Sequence, residues 1–344
     1  MCASEAARAT VHPSVYLAKH GAAMEGLRVK AVVYDRYGPP AVLRVEDVPT
    51  PTPGSGEILV KVAATSLNLS DWECLTGKPA YARMGGLRTP ACRVLGSDIA
   101  GVVEAVGAGV DEFSAGDEVY GDNLQLKGGF AELAVGPATA FVAKPEALSF
   151  VEASTIPQAG VIALQGTDRA AEGCRMLING AGGGSGSFAI QLAKRAGAHV
   201  TAVDNASKLD FMRSLGADEV VDYRTQDFTR LEPFDEILDL VAHRSVFAYR
   251  RALAPGGRYR CVGGSVRSLL RILTIGQLAS RLTGRHMGVL AVKMGPPHFD
   301  ALAAMCVSGD VDIHVDRTYS LDEVPAALAR VGEGGALGKV VVTP

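Results

Sequence analysis

Three glycines, Gly180, Gly183 and Gly186, stand three residues apart between an apolar strand and a helix of small residues. Such a turn lets backbone N–H groups approach a dinucleotide pyrophosphate, and the helix N-terminus that follows offers positive dipole charge. Ser185 lies in the same turn and joins the predicted contacts. The next apolar strand ends on Asp204, where a carboxylate accepts hydrogen bonds from adenosine ribose hydroxyls. This strand–turn–helix–strand context favours a dinucleotide site over a purely structural glycine turn.

The composition of the 344 residues limits which classes of protein fit. The length predicts two domains. With 34 Lys and Arg against 37 Asp and Glu, the chain has no excess of positive charge, so we expect no nucleic-acid partner. The six cysteines are scattered singly, which indicates neither a zinc cluster nor a disulfide framework and fits a reducing, cytoplasmic location. No apolar run approaches the roughly 18 residues of a membrane span.

Changes in the hydrophobic pattern divide the chain into sections. Residues 1–24 lack a secretory apolar core, and we expect a flexible extension there. Residues 25–150 contain short strands broken by Gly and Pro, which is typical of an irregular all-β domain. Strands and helices alternate through residues 151–296, which predicts a doubly wound parallel sheet and hence an α/β fold. Residues 297–344 add further helices and strands, including a strand predicted at residues 311–315.

Residues 265–288 differ from their surroundings, because leucines and isoleucines alternate with four arginines. We expect an amphipathic helix that covers the sheet edge or the substrate cleft. A helix that lies on a membrane surface is the alternative. The apolar residues 289–294 predict an exposed last strand, where a second copy pairs to form a homodimer.

The order of the segments resembles the medium-chain dehydrogenase/reductase superfamily, and within it the zinc-free quinone oxidoreductase and alkenal or enoyl reductase branch. The resemblance covers nearly the whole chain from about Val29. It depends on the glycine turn and on the segments YGPPAVLRVEDVPTPTPGSGEILVKV, SLNLSDW, VLGSDIAGVVEAVGAGVDEFSAGDEVYG, RSLGADEVVDY, RRALAPGGRY and DRTYSLDEVPAALARVGEGGALGKVVV. It implies a Rossmann nucleotide-binding domain inserted into a GroES-like β-barrel catalytic domain, with the active site in the cleft between them.

The resemblance also suggests what the cleft holds. Zinc-dependent relatives take metal ligands from the positions of Asn68, Ser97 and Asp98, and this set is too poor in ligands to hold zinc. We therefore expect no metal. The Asn68 amide is a candidate donor to a substrate carbonyl, or else a residue that orders its own loop. Tyr81 is a candidate proton donor, or else an aromatic residue that lines the cleft.

The implied nicotinamide cofactor, NAD(P)H, has further candidate contacts. Asp204 favours NADH or the use of both nucleotides, because it repels a 2′-phosphate, whereas the family resemblance suggests NADPH. Lys208 and Tyr223 are candidate contacts beside that phosphate. Ligands bind beyond the carboxyl ends of the strands in such a sheet, which nominates three residues: Val241, Val262 and Gly263. Lys339, at the start of the last strand, is either a cofactor contact or a solvated edge charge.

The sequence thus predicts an oxidoreductase that transfers hydride from NAD(P)H to a quinone or an α,β-unsaturated carbonyl without zinc. The expected substrate is a small, apolar electrophile. Two alternatives stay open. One is an NAD(P)-dependent alcohol or carbonyl dehydrogenase, and the other is a nucleotide-sensing binding protein with little turnover.

Overall fold

The structure, a computed structural model, describes residues 27–84 and 86–344. The extension expected at residues 1–24 lies outside the described residues. Two large β-sheets, one mostly antiparallel and one parallel, organise the described residues, and a two-stranded sheet accompanies them.

The strands follow in chain order. Those of the first section are β1 (Arg28–Val33), β2 (Arg44–Pro49), β3 (Glu57–Ser66), β4 (Asp98–Val106), β5 (Glu118–Asp122), β6 (Leu133–Pro137) and β7 (Phe141–Ala143). Those of the middle section are β8 (Arg175–Asn179), β9 (His199–Asp204), β10 (Glu219–Asp222), β11 (Phe234–Asp239), β12 (Leu253–Cys261) and β13 (His286–Val289). The tail adds β14 (Val315–Ser320) and β15 (Lys339–Thr343).

Helices pack around these strands. They are α1 (Leu69–Thr76), α2 (Phe150–Thr155), α3 (Pro157–Gly166), α4 (Gly184–Arg195), α5 (Leu209–Ser214), α6 (Val246–Ala252), α7 (Val266–Arg271), α8 (Gln277–Thr283), α9 (Pro296–Val307) and α10 (Val324–Gly332). A π-helical turn, Ile272–Gly276, joins α7 to α8. No helix of the described residues combines the length and the apolar character that crossing a bilayer requires.

The first large sheet has the order β14–β15–β3–β4–β5–β7, and β6 also pairs with β3. Strand β15, in the tail of the chain, pairs with β3 in the antiparallel direction. The tail therefore completes a sheet that the first section begins. Glycine is required where the backbones of neighbouring strands in this sheet come close. A Cβ on Gly101 would lie 2.1 Å from the carbonyl oxygen of Lys61. This sheet confirms the GroES-like half of the predicted fold.

The second large sheet contains six parallel strands in the order β10–β9–β8–β11–β12–β13. Its central strands are apolar on both faces, as a sheet covered by helices on both sides requires. In β8, for example, Met176 and Ile178 join the core cluster on one face, and Leu177 joins the cluster on the other. The predicted doubly wound α/β fold is therefore confirmed.

Two strands were predicted at positions that differ from those in the structure. The last strand of the parallel sheet is β13, and residues 289–294 leave the sheet after Val289. The backbone N–H of Lys293 donates to the Gln165 side chain at 3.0 Å instead of to a neighbouring strand. The tail strand is β14 instead of residues 311–315, because Val311 closes the end of α9 through a bond from its N–H to the Met305 carbonyl oxygen at 3.2 Å.

The arginine- and leucine-rich segment covers the edge of the parallel sheet, which is one of the two placements expected for it. The Gln277 side chain donates to the Met287 carbonyl oxygen at 2.9 Å. The Met287 N–H in turn donates to the Ser280 hydroxyl at 2.9 Å. Helix α8 is thereby fastened along β13.

Candidate active site

The glycine turn joins β8 to α4 and has the backbone geometry of a phosphate cradle. Gly180 has a φ of 84°, which strongly favours glycine. A Cβ on Gly186 would lie 2.4 Å from the Ala181 carbonyl oxygen, so the helix and the turn pack closely only with glycine here. A Cβ on Gly183, which caps α4, would meet nothing closer than 3.6 Å. This open side, with the half-buried Ser185 in the first turn of α4, fits a dinucleotide pyrophosphate.

Asp204 ends β9 beside this turn, and its carboxylate is largely buried. Oδ2 accepts from the backbone N–H of Gly182 at 3.1 Å, and Oδ1 accepts from that of Asn205 at 2.8 Å. The ammonium of Lys208 lies 3.4 Å from Oδ2. Because both oxygens have partners and a cation balances the charge, the repulsion expected between Asp204 and a 2′-phosphate is weakened.

Tyr223 follows β10 and stays exposed near Asp204. Its backbone N–H donates to the Asp204 carbonyl oxygen at 3.1 Å. The guanidinium of Arg224 lies 5.7 Å from the centre of the Tyr223 ring, and that of Arg244 donates to the Tyr223 carbonyl oxygen at 3.4 Å. Positive charge is thus concentrated at the end of β9, where the adenosine ribose binds in folds of this kind.

Asp239, the last residue of β11, is fully buried and fixes the turn that follows. Its Oδ1 accepts from the backbone N–H groups of Val241 at 3.0 Å and Ala242 at 2.9 Å. Its Oδ2 accepts from the Tyr259 hydroxyl at 2.9 Å. Ala242 takes a φ of 56°, uncommon for a residue with a Cβ, and these bonds hold it there. The predicted contact Val241 therefore stands on a rigid turn at the carboxyl end of the sheet.

Val262 and Gly263 follow the end of β12 and approach the first section. A Cβ on Gly263 would lie 4.0 Å from the Tyr81 hydroxyl oxygen. That hydroxyl donates to the Glu73 carboxylate, at 3.1 Å to Oε1. Burial raises the pKa of Glu73, and burial together with the Glu73 charge raises the pKa of Tyr81. The structure thus brings Tyr81 to the strand ends of the nucleotide half, with its proton engaged by Glu73.

Lys339 connects the glycine turn with Asn68. A Cβ on Gly184, in the turn, would lie 2.7 Å from Cδ of Lys339, so the lysine stem packs against the turn. The ammonium donates to Oδ1 of Asn68 at 2.8 Å and to the Leu67 carbonyl oxygen at 3.1 Å. Lys339 is only 2% exposed, so it is not a solvated edge charge. Its ammonium holds Asn68, and the expected contact of Lys339 with the cofactor stays a prediction.

Two buried carboxylates support this connection. Oδ2 of Asp98 lies 3.6 Å from the Lys339 ammonium, and its Oδ1 accepts from the Gln158 N–H at 3.2 Å. Burial raises the pKa of Asp98 and lowers that of Lys339, while their mutual attraction opposes both shifts. Asp71 accepts from the Asn68 N–H at 3.0 Å and so fixes the start of α1.

A second group of buried polar atoms lies beside Asp98. Asp122 stands opposite Asp98 in the β4–β5 pair, so both side chains share one face of the sheet. The Asp122 carboxylate oxygens and the Lys127 ammonium are buried without a hydrogen-bond partner among the described residues. Burial, followed by the Asp98 charge, raises the pKa of Asp122 to about 8. The Asp122 carboxyl group is therefore protonated more readily near neutral pH than an exposed carboxyl group is.

The residues at the expected zinc-ligand positions do not fit a zinc ion. Oδ1 of Asn68 and the carboxylate of Asp98 both face the Lys339 ammonium, a cation that opposes a second one. Ser97 adds only a neutral hydroxyl. Across residues 27–84 and 86–344, no group of three or more His, Cys, Asp or Glu residues could hold a metal ion.

Four polar residues of this region were not predicted from the sequence: Glu73, Asp122, Lys127 and Asp239. A signal existed for the two aspartates, because each ends an apolar strand and so is expected at a buried sheet edge. Glu73 lies within a short helix among other polar residues, and its contact with Tyr81 has no local sequence signature.

Comparisons with known proteins agree with this arrangement. The family model described as alcohol dehydrogenase GroES-like domain matches residues 54–146, and the model described as zinc-binding dehydrogenase matches residues 215–342. The chain is 32% identical to the chloroplast envelope quinone oxidoreductase homolog of Arabidopsis thaliana, and the match covers 93% of this chain and 100% of that protein. It is 32% identical to the 2-methylene-furan-3-one reductase of Solanum lycopersicum, over 92% of this chain and 79% of the relative.

The solved structure of the quinone oxidoreductase from Coxiella burnetii is similar in fold. It gives a TM-score of 0.83 at 28% identity and covers 92% of this chain and 100% of that one. Both large sheets therefore have counterparts in one known protein. The chain belongs to the medium-chain dehydrogenase/reductase superfamily, in its quinone oxidoreductase branch.

Proposed function

We propose that this oxidoreductase transfers hydride from NAD(P)H to a quinone or to the β-carbon of an α,β-unsaturated carbonyl, without zinc. The observation that carries the proposal is the orientation of the Asn68 amide. A lysine ammonium only donates, so Lys339 fixes Oδ1 toward itself and leaves Nδ2 as the free donor. Nδ2 is buried and has no hydrogen-bond partner within 3.5 Å among the described residues, although the Asn68 side chain acts to lower the pKa of the nearby Asp98 carboxylate. A buried donor of this kind is costly unless a ligand such as a carbonyl oxygen satisfies it.

The cofactor supplies the hydride when it is bound, and the chain supplies binding and orientation. The glycine turn holds the pyrophosphate, and the turns at Val241 and Gly263 border the nicotinamide end. Asn68 donates from Nδ2 to the substrate oxygen, where negative charge grows as hydride reaches carbon. Lys339 acts as a positioning residue, because it fixes the amide and rests against the glycine turn.

We assign the proton of the reduction to Tyr81 and Glu73. In an enone, hydride adds to the β-carbon, the C=C electrons move toward the oxygen, and a proton adds to the α-carbon. The Tyr81 hydroxyl gives this proton and recovers one through Glu73, whose pKa is raised by burial.

Zinc independence follows from the chemistry of the candidate ligands. The Lys339 ammonium donates to Asn68 and lies beside Asp98, so it supplies the positive charge that a metal ion would supply there. Elemental analysis of the purified protein is therefore expected to find no stoichiometric zinc, and chelators are expected to leave activity unchanged. Stoichiometric zinc together with turnover of simple alcohols would instead identify an alcohol dehydrogenase.

For the nucleotide we propose that both forms are used and that NADPH is preferred. The internal partners of Asp204 and the cations near Tyr223 support this assignment. The measurement is the ratio of kcat/KM for NADPH to that for NADH. A clear preference for NADH would contradict the proposal and would show that the Asp204 carboxylate turns toward the ribose.

The catalytic proposal is tested with a panel of enones, quinones and alcohols and with the variant Asn68→Ala. Loss of one donor to a developing oxyanion is expected to lower kcat about 10²–10³-fold. Binding of reduced nucleotide should change little, and it is measured by quenching of the only tryptophan, Trp72. Ser70→Ala, in the same helix, is the matched control. Tight nucleotide binding without turnover of any panel member would favour a nucleotide-sensing protein.

For assembly and location we propose a homodimer in the cytoplasm. Strand β13 pairs only with β12 among the described residues, so a second copy is proposed to pack at this end of the parallel sheet, where α8 lies along β13. The cysteines of the described residues are free, which suits a reducing compartment.

A further inference from the structure

Charge is distributed unevenly along this chain. Between Asp239 and Asp300 there is no Asp or Glu, while ten Lys and Arg residues occur there. The rest of the chain carries 24 Lys and Arg against 37 Asp and Glu. Arg258 and Arg260 form ion pairs with Glu236 and Asp168, and the other eight cations leave this section with an excess of positive charge, which attracts anions.

An apolar surface lies within that section. The continuous helical segment of α7, the π-helical turn and α8 buries Ile272, Gly276 and Ala279. Large side chains point outward from the other side, and their exposed fractions are 57% for Leu270, 52% for Leu273, 59% for Leu278 and 76% for Leu282. The extra residue of the π-helical turn keeps Leu278 in line with Leu273, although they are five residues apart.

Arginines flank these leucines. Arg267, Arg271 and Arg281 are exposed, and none forms an ion pair within the described residues. Leucines beside unpaired arginines on one amphipathic segment are the combination that binds at the interface of an anionic bilayer. We call the four leucines and three arginines the basic–apolar face.

We propose that the basic–apolar face docks this protein on the surface of a membrane that contains anionic lipid. A second copy of the chain is a poorer occupant. A two-fold interface places the same patch on both sides, and this face would then oppose arginines with arginines. The inference concerns attachment alone and does not depend on which substrate the active site reduces.

The test is co-sedimentation of the purified protein with vesicles of phosphatidylcholine, with and without phosphatidylglycerol. Binding is expected to the phosphatidylglycerol vesicles and to weaken with salt. Arg267→Gln/Arg271→Gln/Arg281→Gln should lower the partition coefficient by roughly fivefold per arginine. Leu273→Gln/Leu278→Gln should lower it about tenfold per leucine.

The matched control is Leu87→Gln/Arg88→Gln, an exposed leucine and arginine of the first section, which should leave vesicle binding unchanged. Circular dichroism and the molar mass from light scattering are measured for every variant. The proposal is overturned if anionic vesicles bind no more protein than phosphatidylcholine vesicles do. It is overturned equally if face variants fall from dimer to monomer with vesicle binding unchanged, because a second copy would then cover the face.

Discussion

Asp122 offers a test of the buried charge beside the active site, through the variant Asp122→Asn. The amide has the shape of the protonated carboxyl group. Neither carboxylate oxygen has a hydrogen-bond partner within 3.5 Å among the described residues, although the nearby Ser97 hydroxyl favours the ionised form. What changes is the ability to ionise.

The magnitude follows from the pKa of Asp122, which burial raises from 3.8 to about 8. Between these values the folded protein holds a proton that the unfolded chain releases. The folded state therefore binds more protons, and its stability falls as pH rises, by at most about 1.4 kcal/mol per pH unit. From pH 5 to pH 7 this one group removes at most about 2.7 kcal/mol, a loss that Asp122→Asn avoids.

The assay is thermal unfolding of parent and variant at pH 5, 6 and 7. For a unit of this size, 1 kcal/mol corresponds to roughly 2–4 °C in Tm. The Tm of the variant relative to the parent is therefore expected to rise by at most about 5–11 °C from pH 5 to pH 7. Taking the difference cancels the titration of the groups that do not interact with Asp122; Asp98, whose charge acts on Asp122, is not among them. The control is Asp111→Asn, which replaces an exposed carboxylate of the first section, and its Tm should equal that of the parent at each pH.

Parallel Tm curves for parent and variant would refute the reasoning. They would mean that the Asp122 carboxylate is ionised in the folded protein, through water or through movement of the Lys127 ammonium toward it. If the Tm of the variant instead fell relative to that of the parent as pH rises, ionised Asp122 would form a stabilising ion pair.

Three further predictions concern the cofactor site and the proton. Tyr81→Phe is expected to lower kcat about 10²–10⁴-fold while the Kd for reduced nucleotide stays unchanged; an unaltered kcat would leave Tyr81 as a residue that lines the cleft. Lys208→Ala removes the cation 3.4 Å from Asp204, so the KM for NADPH should rise more than that for NADH, and an equal rise for both would show that Lys208 only supports the turn. Gly186→Ala places a Cβ 2.4 Å from the Ala181 carbonyl oxygen and should lower the free energy of unfolding by about 1–3 kcal/mol, measured by chemical unfolding. The control is Gly256→Ala, at a glycine with a positive φ and no neighbouring atom within 4 Å. A smaller loss of stability for Gly186→Ala than for the control would show that α4 can shift.

The parts of this molecule that could be predicted from sequence are those set by local patterns. The glycine turn, β9 and its terminal Asp204 belong to one continuous segment whose spacing has a known physical use. The direction of the Asp204 carboxylate could not be predicted, because it depends on the Gly182 N–H and the Lys208 ammonium. Sequence position alone therefore indicated a free carboxylate, whereas both of its oxygens have partners in the structure.

The contacts that define the candidate site are mostly non-local. Lys339 and Asn68 are 271 residues apart, and nothing in either neighbourhood indicates that they meet. The same applies to Gln158 and Asp98, which connect the two halves of the chain. Residues 311–315 alternate apolar and polar side chains, as a strand does, but this short alternation also suits a connection that buries Val311.

The late position of β15 in the chain has a consequence for biosynthesis. Strand β3 leaves the ribosome long before the strand that will border it, so its edge stays open while the whole parallel sheet is made. The nucleotide half can fold during this interval, since its own strands are contiguous. The nucleotide half can therefore bind a dinucleotide first. The Asn68 amide is oriented only later, when β15, which begins with Lys339, pairs with β3.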